Sequence, residues 1–364
     1  MKAWKRFLIA LLAVLMLCSL VACDEEPPAE EPAPDEGSTP TNPDTVVEKA
    51  IDLYFITGQS NAAGYSKVND AQALYEVAPG LENGYSNILY AGTALVGGSD
   101  GNPGVYKKEW TPTTIGCGRG ANYIGPEAGM AAALSSYYNA ESGKMAGIIK
   151  YAHGGTSLLA VSDGNNIYGN WAPPSYIESL NMEWDEESNH GRLYREFLDQ
   201  VYKNVSELKE KGYNKFNIKG MYWMQGCNDR GTHAENPIIY PVAIDYFVKD
   251  VRKDLTIIMK QLTGSDCGAK DMPFVVGTLS ETFSSAAESH VETYNKPFVA
   301  MQKTLPQTIS KCYVLDNSQY AINRWDEDKG ESVVVGTDSA HWSAIDALTI
   351  GKNLGELIKT EILK

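Results

Sequence analysis

Three apolar runs, each followed by small and polar residues, constrain the fold of this chain most strongly. The runs at 51–56, 145–152 and 216–224 are followed by TGQSN, HGGTS and QGCND. Apolar runs of this length, bounded by turn formers, are typical of buried strands. The carboxyl ends of parallel strands lie at one edge of the sheet, where open α/β sheets bind their ligands. The three polar clusters are therefore expected to converge on one site.

Segments with helical periodicity separate these runs, which indicates an α/β protein. Apolar residues recur every three or four positions from Leu193 to Leu208, and Pro126 suits the first turn of another helix. The remaining predicted elements are helices at about 242–262 and 343–363 and strands at 274–278 and 313–316. Strands that alternate with helices predict a doubly wound parallel sheet of about five strands with right-handed crossovers.

Residues 51–364 are predicted to form a single α/β domain. They contain no internal repeat and no second linker rich in proline and glycine. The polar, Gly-rich segment from about Tyr65 to Asn122 is predicted to be a long insertion in this domain. The length of the segment 51–364 is compatible with one large α/β domain with long loops.

The N-terminus has the pattern of an export signal. Lys2, Lys5 and Arg6 precede an apolar run at 7–22, and Cys23 follows it. This pattern is typical of a signal peptide that is removed from the mature protein. The end of the run, LVAC, resembles a bacterial lipobox, which implies cleavage before Cys23 and lipid on its sulfur. Ordinary secretory cleavage nearby is the alternative, and both predict an exported chain.

The charge distribution separates a tether from the folded part of the chain. Residues 24–50 are rich in acidic residues and proline, which predicts a disordered spacer between the lipidated cysteine and the domain. The formal net charge is −15, and residues 51–364 alone carry −10 of it. An acidic domain without a basic run argues against nucleic acid and polyanionic substrates and fits a neutral or weakly charged one.

The remaining cysteines do not have the spacing of a metal site. Cys117, Cys227, Cys267 and Cys312 are far apart in the sequence, and no CxxC pair occurs. This spacing disfavours a metal centre. Export permits a disulfide among them, but the spacing does not decide whether one forms.

Ser60 is the candidate nucleophile. It follows the first predicted strand directly after a turn at Gly58, and small residues surround it. A serine at this place can attack an acyl group if a base removes its proton. The alternative is an ordinary strand-to-helix turn in which Ser60 caps the helix.

The best candidate base among the five histidines is His341. It lies three residues after Asp338, just before the last predicted helix. In a tight turn this spacing lets the carboxylate accept a hydrogen bond from Nδ1–H and stabilise the imidazolium. The alternative is that Asp338 caps a helix and His341 lies on the surface. The other four histidines are predicted to be structural or surface residues: His153, His190, His233 and His290.

The ordered set of motifs resembles the SGNH hydrolases. TGQSN, GGTS, QGxND and a C-terminal DxxH occur in the family's order, and the closest resemblance is to the sialate O-acetylesterase-like group, which includes carbohydrate esterase family 6. Gly125-Pro126-Glu127, the segment AHGGTSL and the segment YWMQG also match that group. The resemblance covers nearly all of residues 51–364.

The resemblance implies a three-layer flavodoxin-like fold and a serine esterase that removes acetyl groups from carbohydrate hydroxyls. Ser60 would be the nucleophile, His341 the base and Asp338 the residue that orients it. The Ser60 and Gly155 N–H groups would contribute to the oxyanion hole. No metal or cofactor would be required.

The third motif departs from the pattern of the closest group, which usually has an acid where Cys227 stands. Cys227 is interpreted as a small buried residue, because no obvious base accompanies it. Two side-chain amides, Asn228 and Gln225, are candidates for a third oxyanion donor. The complete GxND pattern favours Asn228, and Gln225 is then expected to brace the loop.

Two residues beside the predicted triad are candidate substrate contacts. Gln59 precedes the serine, and Trp342 follows the histidine. Aromatic residues can stack on sugar rings, although they more often cover the edge of a core. The other loop aromatics are Tyr65, Tyr123, Trp171 and Trp184.

The favoured function is an exported carbohydrate O-acetylesterase that acts on acetylated xylan or a related plant polysaccharide. A sialate O-acetylesterase is a second option. A surface glycan-binding protein without catalytic activity is an alternative, but the intact Ser60, Asp338 and His341 argue against it. The lack of a long apolar lid segment disfavours a lipase-type esterase.

Overall fold

A computed structural model of the protein describes residues 47–96, 104–159, 169–182, 189–231 and 236–364. The predicted signal peptide, Cys23, residues 24–46 of the tether, Trp184 and His233 lie outside the described residues. One unit of the fold spans Glu48–Lys364. In the described part of the chain, none of the helices has the length and apolar composition of a membrane-spanning segment.

The strands of the described residues form one large sheet and two small ones. In chain order the strands are β1 (Ala50–Gly58), β2 (Ser66–Lys67), β3 (Tyr85–Val96), β4 (Gly104–Thr113), β5 (Tyr123–Ile124), β6 (Ala146–His153), β7 (Lys215–Met224), β8 (Phe274–Gly277), β9 (Cys312–Leu315), β10 (Asn323–Asp326) and β11 (Glu331–Val334). The large sheet has the order β4-β3-β6-β1-β7-β8-β9. Its neighbouring strands are parallel, except that β3 and β4 are antiparallel. The small sheets pair β2 with β5 and β10 with β11.

Strand β1 lies in the interior of the large sheet, between β6 and β7. Its last residue, Gly58, is level with Ala152 of β6 and with Met224 of β7. The three polar clusters that follow these strands therefore start at the same edge of the sheet, and the predicted convergence is confirmed.

The large sheet has more strands than the sequence analysis predicts. Seven strands form it in the described residues, compared with about five expected. The two additional strands, β3 and β4, lie in the segment predicted to be a polar insertion, and β4 is antiparallel. Strand β3 contains the buried Ile88 and Tyr90 and pairs with β6. Its intervening glycine, threonine and serine residues weaken the apolar pattern from which strands are recognised.

The four helices that the sequence predicts are present, at Pro126–Leu134, Arg192–Glu210, Asn236–Thr263 and Ala344–Leu357, and the remaining helices were not predicted. In chain order the α-helices of the described residues are α1 (Ser60–Ala63), α2 (Ala71–Val77), α3 (Pro126–Leu134), α4 (Pro174–Ser179), α5 (Arg192–Glu210), α6 (Asn236–Thr263), α7 (Glu288–His290), α8 (Lys296–Thr304) and α9 (Ala344–Leu357). Short 3₁₀ and π turns occur at Asp229–Gly231, Ala269–Asp271, Val291–Asn295, Leu305–Gln307 and Ile358–Ile362. Helix α6 starts at Asn236, six residues before the predicted start, and includes Pro241.

Consecutive residues of β1 show that helical segments cover both faces of the sheet. Neighbouring side chains of a strand point to opposite faces. Tyr54 packs edge-on against Tyr138, which follows α3, with ring centroids 6.3 Å apart. Phe55 packs against Phe197 of α5 with ring centroids 5.8 Å apart. The fold is therefore a three-layer α/β arrangement, and the predicted fold class is confirmed.

Helix α9, which follows His341, packs closely on α3. A Cβ atom placed on Gly129 would lie 1.9 Å from the carbonyl oxygen of Leu348, so the contact requires glycine at this position. Ser343 caps α9 by accepting a hydrogen bond from the Asp346 N–H at 3.1 Å. Together these contacts fix the start of α9 and hence the position of the turn before it.

Candidate active site

The turn after β1 fixes the position of Ser60. Gly58 has a φ of 130°, and a Cβ atom there would lie 2.1 Å from the Met224 carbonyl oxygen. No other residue fits this turn without displacing β7. Gln59 occupies the N-cap position of α1, and no side chain caps the helix. The alternative in which Ser60 serves as the helix cap is therefore wrong.

Asp338 and His341 are in direct contact. The Nδ1–H of His341 donates to Asp338 Oδ2 at 2.7 Å. The other carboxylate oxygen, Oδ1, accepts from the Ala340 N–H at 2.8 Å, and the Thr337 N–H donates to the His341 carbonyl at 2.9 Å. The tight turn predicted from the spacing of these two residues is present, and it leaves Nε2 as the ring nitrogen opposite the carboxylate.

The surroundings of this pair keep the imidazole neutral and the carboxylate ionised. Burial lowers the pKa of His341 and outweighs the opposing effect of Asp338, while the charge of Arg119 lowers it further. Burial alone would raise the pKa of Asp338, but the hydrogen bonds from His341 and the Ala340 N–H outweigh it and lower the pKa. A neutral imidazole oriented by an anion is the form that a general base requires.

Contacts between distant segments bring Ser60 and His341 into one place. The Asn61 amide donates to the Ala340 carbonyl at 3.2 Å. The ring of Tyr65 lies against that of His341, with centroids 4.7 Å apart. A Cβ atom placed on Gly154 would lie 2.5 Å from the Tyr65 hydroxyl and 3.5 Å from Ser60 Cβ. The TGQSN, HGGTS and DxxH motifs therefore surround a single site.

Tyr65 has a role that its sequence position does not reveal. It is buried, with 9% of its surface exposed, and its ring contacts both the His341 ring and the guanidinium of Arg119, which is 4.2 Å from the centre of the Tyr65 ring. Arg119 also stacks on Tyr123 and donates to the Tyr123 hydroxyl at 2.9 Å. These contacts support the imidazole. Tyr65 and Arg119 belong to the segment that was predicted to be an insertion, and no sequence pattern connects that segment to the histidine.

A buried ion pair stabilises the segment after Ser60. Lys150 Nζ contacts Glu127 Oε2 at 2.9 Å, and both side chains are fully buried. Lys150 also donates to the carbonyls of Ala63 and Cys117, and Glu127 Oε1 accepts from the Gly125 N–H at 3.0 Å. The sequence analysis finds Glu127 in a motif but does not single out Lys150. A lysine within the apolar run of β6 was the available signal.

Gln225 lies in a buried network at the end of β7. Its amide nitrogen donates to Asp229 Oδ2 at 2.5 Å and to the Thr156 carbonyl at 3.0 Å, and its oxygen accepts from the Tyr240 hydroxyl at 2.9 Å. Asp229 in turn accepts the N–H groups of Leu158 and Leu159. These contacts agree with the predicted bracing role of Gln225.

Gln59 belongs to the same network. It is 2% exposed, and its side-chain oxygen accepts from the N–H groups of Gly226 and Cys227 at 2.9 and 2.8 Å. Gln59 therefore braces the turn after β7, in contrast to its predicted role as a substrate contact.

Asn228 is less buried than Gln225 and lies beside the second motif. Its amide donates to the Gly155 carbonyl at 2.7 Å. Gly155 has a φ of 70°, a conformation that favours glycine. The structure therefore places the Asn228 side chain against Gly155, whereas Gln225 is fully buried in the network around Asp229.

A family model described as "Carbohydrate esterase, sialic acid-specific acetylesterase" matches residues 50–356. The chain belongs to this family. It is an esterase of the carbohydrate acetylesterase class, and the resemblance found in its motifs is confirmed. Comparison with curated proteins gives no match.

Structural alignments with two solved structures of the same fold extend over most of this carbohydrate esterase. A protein from Arabidopsis thaliana superposes with a TM-score of 0.50 and 16% identity, over 85% of this chain and 98% of its own. NanS superposes with a TM-score of 0.51 and 16% identity, over 85% of this chain and 97% of its own. These similarities support the predicted SGNH-like fold.

Trp342 is part of the core of the esterase. It is 2% exposed, and its indole N–H donates to the Tyr320 carbonyl at 3.0 Å. Its ring therefore does not face a sugar, in contrast to its predicted role. Trp171 is also fully buried, and its indole N–H donates to the Thr156 hydroxyl.

Burial raises the pKa of three of the cysteine thiols in the described residues, those of Cys117, Cys227 and Cys312. Cys117, Cys227, Cys267 and Cys312 are free, and no disulfide joins them. Burial raises the pKa of the Cys227 thiol to about 12, so it is protonated and uncharged at neutral pH. Among the described residues, no group of three or more histidine, cysteine or acidic side chains could hold a metal ion.

Proposed function

We propose that this protein is a serine esterase that removes O-acetyl groups from carbohydrate hydroxyls. The observation that supports the proposal best is the 2.7 Å contact between His341 and Asp338. A hydrogen bond from the Asn61 side chain connects the turn that contains this pair to the segment of Ser60. This arrangement supports Ser60 as the nucleophile, His341 as the base and Asp338 as the acid that orients the base.

The proposed reaction proceeds through an acetyl-serine. His341 Nε2 accepts the Ser60 hydroxyl proton while the serine oxygen attacks the acetyl carbonyl. The protonated imidazole then gives this proton to the departing sugar oxygen as the ester bond breaks. A water molecule, deprotonated by the same nitrogen, attacks the acetyl-serine and releases acetate, and the proton returns to the serine.

The negative charge of each tetrahedral intermediate requires hydrogen-bond donors. We assign this role to the backbone N–H groups of Ser60 and Gly155 and to the Asn228 amide. The 2.7 Å contact between the Asn228 amide and the Gly155 carbonyl supports the assignment, because the residues that carry the second and third proposed donors are then neighbours.

The proposed substrate is acetylated xylan or a related plant polysaccharide, or oligosaccharides derived from it. Acetylated sialic acid is the second candidate, and the description of the matching family supports it. We further propose that the protein is exported and attached to the bacterial cell membrane through lipid on Cys23, because LVAC follows an apolar run with a basic start.

Acetate release tests the proposed function directly. The purified protein is incubated with 4-nitrophenyl acetate, acetylated xylan and acetylated sialic acid, and released acetate is measured. We expect release from at least one of the carbohydrates. Retained glycan binding without release from any ester would instead support the glycan-binding alternative.

A further inference from the structure

Two side chains from the segment predicted to be an insertion reach the predicted base. The ring of Tyr65 lies against the His341 ring, with centroids 4.7 Å apart and 32° between the planes. The guanidinium of Arg119 lies 4.2 Å from the centre of the Tyr65 ring and 4.4 Å from the centre of the Tyr123 ring. Among the described residues, no carboxylate pairs with Arg119. Tyr65 and Arg119 are called the His341 support below.

The hydroxyl end of Tyr65 reaches the second motif. A Cβ atom on Gly154 would lie 2.5 Å from the Tyr65 hydroxyl oxygen and 2.9 Å from its Cζ, so a larger residue would displace the Tyr65 side chain. Gly154 directly precedes Gly155, whose N–H we assign to the oxyanion hole. One side chain therefore contacts the base with its ring and the turn that carries an oxyanion donor with its hydroxyl end.

Backbone contacts hold Arg119 at the Tyr65 ring. The Arg119 N–H donates to the Gly64 carbonyl at 3.0 Å. A Cβ atom on Gly64 would lie 2.7 Å from Gly118 Cα, so the two chain segments pack closely just before Tyr65 and Arg119. The Arg119 Nη2 also donates to the Tyr123 hydroxyl at 2.9 Å. The His341 support is therefore fixed by contacts outside the reacting groups.

We propose that Tyr65 is a positioning residue that sets the His341 imidazole and the Gly154–Gly155 turn relative to each other, and that Arg119 holds the Tyr65 ring in this place. In the proposed reaction the imidazole takes the Ser60 proton while the oxyanion hole binds the carbonyl oxygen, so both must keep a fixed geometry. A displacement of about 1 Å can cost roughly 100-fold in rate. This inference rests on the proposed esterase function and extends it to the residues that arrange the site.

Arg119 also acts on the charge of the imidazole. Burial is the main cause of the lowered pKa of His341, the Asp338 carboxylate opposes it, and the charge of Arg119 lowers the pKa further. The phenol of Tyr65 is the titratable group in ring contact with His341. Removing the charge of Arg119 should therefore raise the pKa of His341, whereas a purely structural Arg119 would leave that pKa unchanged.

The first test changes the contact between Tyr65 and Gly154. The φ of Gly154 lies outside the left-handed region, and its Cβ would meet Ser60 Cβ at an ordinary 3.5 Å, so alanine there conflicts mainly with Tyr65. Gly154→Ala should lower kcat for 4-nitrophenyl acetate by roughly 10- to 100-fold with little change in KM. Tyr65→Phe keeps the ring and should lower kcat by less than about threefold. The double variant should recover part of the loss, because the nearest atom is gone.

The second test follows the pH dependence of kcat/KM in Arg119→Gln and Arg119→Lys. A base works when it is unprotonated, so a higher pKa of His341 moves the acidic limb to higher pH. We expect this shift in Arg119→Gln, and a limb closer to that of the wild type in Arg119→Lys, which keeps the charge. Lys249→Gln is the control, because it removes a positive charge from a side chain on α6 that is 68% exposed. Its limb should coincide with that of the wild type.

A third measurement needs no activity and separates this inference from the esterase function. NMR titration of the histidine ring protons gives the pKa of His341, whose signals are identified by their loss in His341→Ala. The pKa should rise in Arg119→Gln. The ring current of Tyr65 should shift the His341 signals in the wild type and in Tyr65→Phe, and this shift should disappear in Tyr65→Leu.

Three results would overturn the inference. A Gly154→Ala protein with wild-type kcat, or a double variant no faster than Gly154→Ala, would exclude the positioning role of Tyr65. A limb and a pKa of His341 that stay unchanged in Arg119→Gln would exclude the role of Arg119. If the wild type does not hydrolyse 4-nitrophenyl acetate, the esterase function fails, and the NMR signals decide by themselves whether Tyr65 and Arg119 act on His341.

Discussion

At the scale of single residues, the contact between Asp338 and His341 determines the proton chemistry proposed for the site. Both residues lie in one turn, so the hydrogen bond depends little on the remainder of the fold. Whether His341 can serve Ser60 depends on distant contacts, such as those of Asn61 and Tyr65. Three predictions concern single side chains of the candidate site.

Replacing the nucleophile should abolish activity without unfolding the protein. Ser60→Ala removes one hydroxyl from a residue that does not cap α1, so little packing changes. We expect kcat to fall by a factor on the order of 10⁴ to 10⁶, and His341→Ala should have a similar effect. Acetate release measures the loss, and the thermal unfolding temperature is the control. A Ser60→Ala protein that retains most of its turnover would exclude the serine mechanism.

The pH profile should report on the environment of His341. Because burial lowers the pKa of His341, kcat/KM should stay high below the pH at which an ordinary histidine becomes protonated. In Asp338→Asn the carboxylate that raises this pKa is gone, so the acidic limb should move to still lower pH. The maximal rate should fall by about 10³ to 10⁴, since the imidazolium loses its partner. A limb that moves to higher pH in Asp338→Asn would contradict this assignment.

The two side-chain amides after β7 should respond differently to removal. Asn228→Ala should lower kcat by roughly 100-fold with little change in KM, since an oxyanion donor contributes about 3 kcal/mol in the transition state. Gln225→Ala should mainly lower stability, by about 1–3 kcal/mol, because it removes the buried hydrogen bonds that Gln225 makes with Asp229 and Tyr240. Steady-state kinetics and urea unfolding separate the two effects. A large loss of kcat in Gln225→Ala with a silent Asn228→Ala would reverse the assignment.

At the scale of secondary-structure elements, the ion pair between Lys150 and Glu127 joins β6 to α3 and to the end of α1. Lys150 Nζ reaches the Ala63 carbonyl, where α1 ends, and the Cys117 carbonyl in the segment before α3. Glu127 also accepts the N–H of Gly125, just before α3. The pair therefore holds the helix that starts with Ser60 against the centre of the sheet.

Breaking this pair on one side should destabilise the fold. Lys150→Met leaves Glu127 buried without its cation and should lower the free energy of unfolding by about 3–5 kcal/mol. The double variant Lys150→Met with Glu127→Gln should be more stable than Lys150→Met alone, because the amide is uncharged and its oxygen can still accept the Gly125 N–H. Urea unfolding of the three proteins checks both expectations. A double variant less stable than the single one would argue against an uncompensated charge as the cause.

At the scale of the whole molecule, the chain combines an apolar N-terminus that follows basic residues, an acidic, proline-rich segment that is predicted to be a tether, and a family-matched esterase unit. The family match covers 50–356, whereas the proposed anchor at Cys23 precedes it. An acidic tether is repelled by an anionic membrane surface, so attachment there would depend on the lipid.

Removing the proposed lipid site should release the protein from the membrane. Cys23→Ser should be found in the soluble exported fraction, whereas the wild type should be found with the membrane, because two or more acyl chains anchor a protein stably. Cell fractionation and mass spectrometry of the mature N-terminus test this. An unmodified wild-type N-terminus at another residue would remove the lipid-anchor proposal.

The sequence by itself determined the strand ends, the main helices, the motif order and the contact between Asp338 and His341. These features depend on residues close together in the chain, where periodicity and turn chemistry act. Strand β3 was not predicted from the sequence. Its glycine and polar residues obscure the apolar pattern of a strand, and the strand becomes evident only from its pairing with β6.

Only the tertiary structure decided which polar and aromatic side chains are buried and what they contact. Gln59 and Trp342 lie beside the predicted triad in the sequence, yet both are 2% exposed and bond to distant segments. Lys150 and Arg230 carry the same charge, but one is buried against a carboxylate and the other has none among the described residues. Burial and partners of this kind arise from chain segments far apart in sequence, which local patterns do not encode.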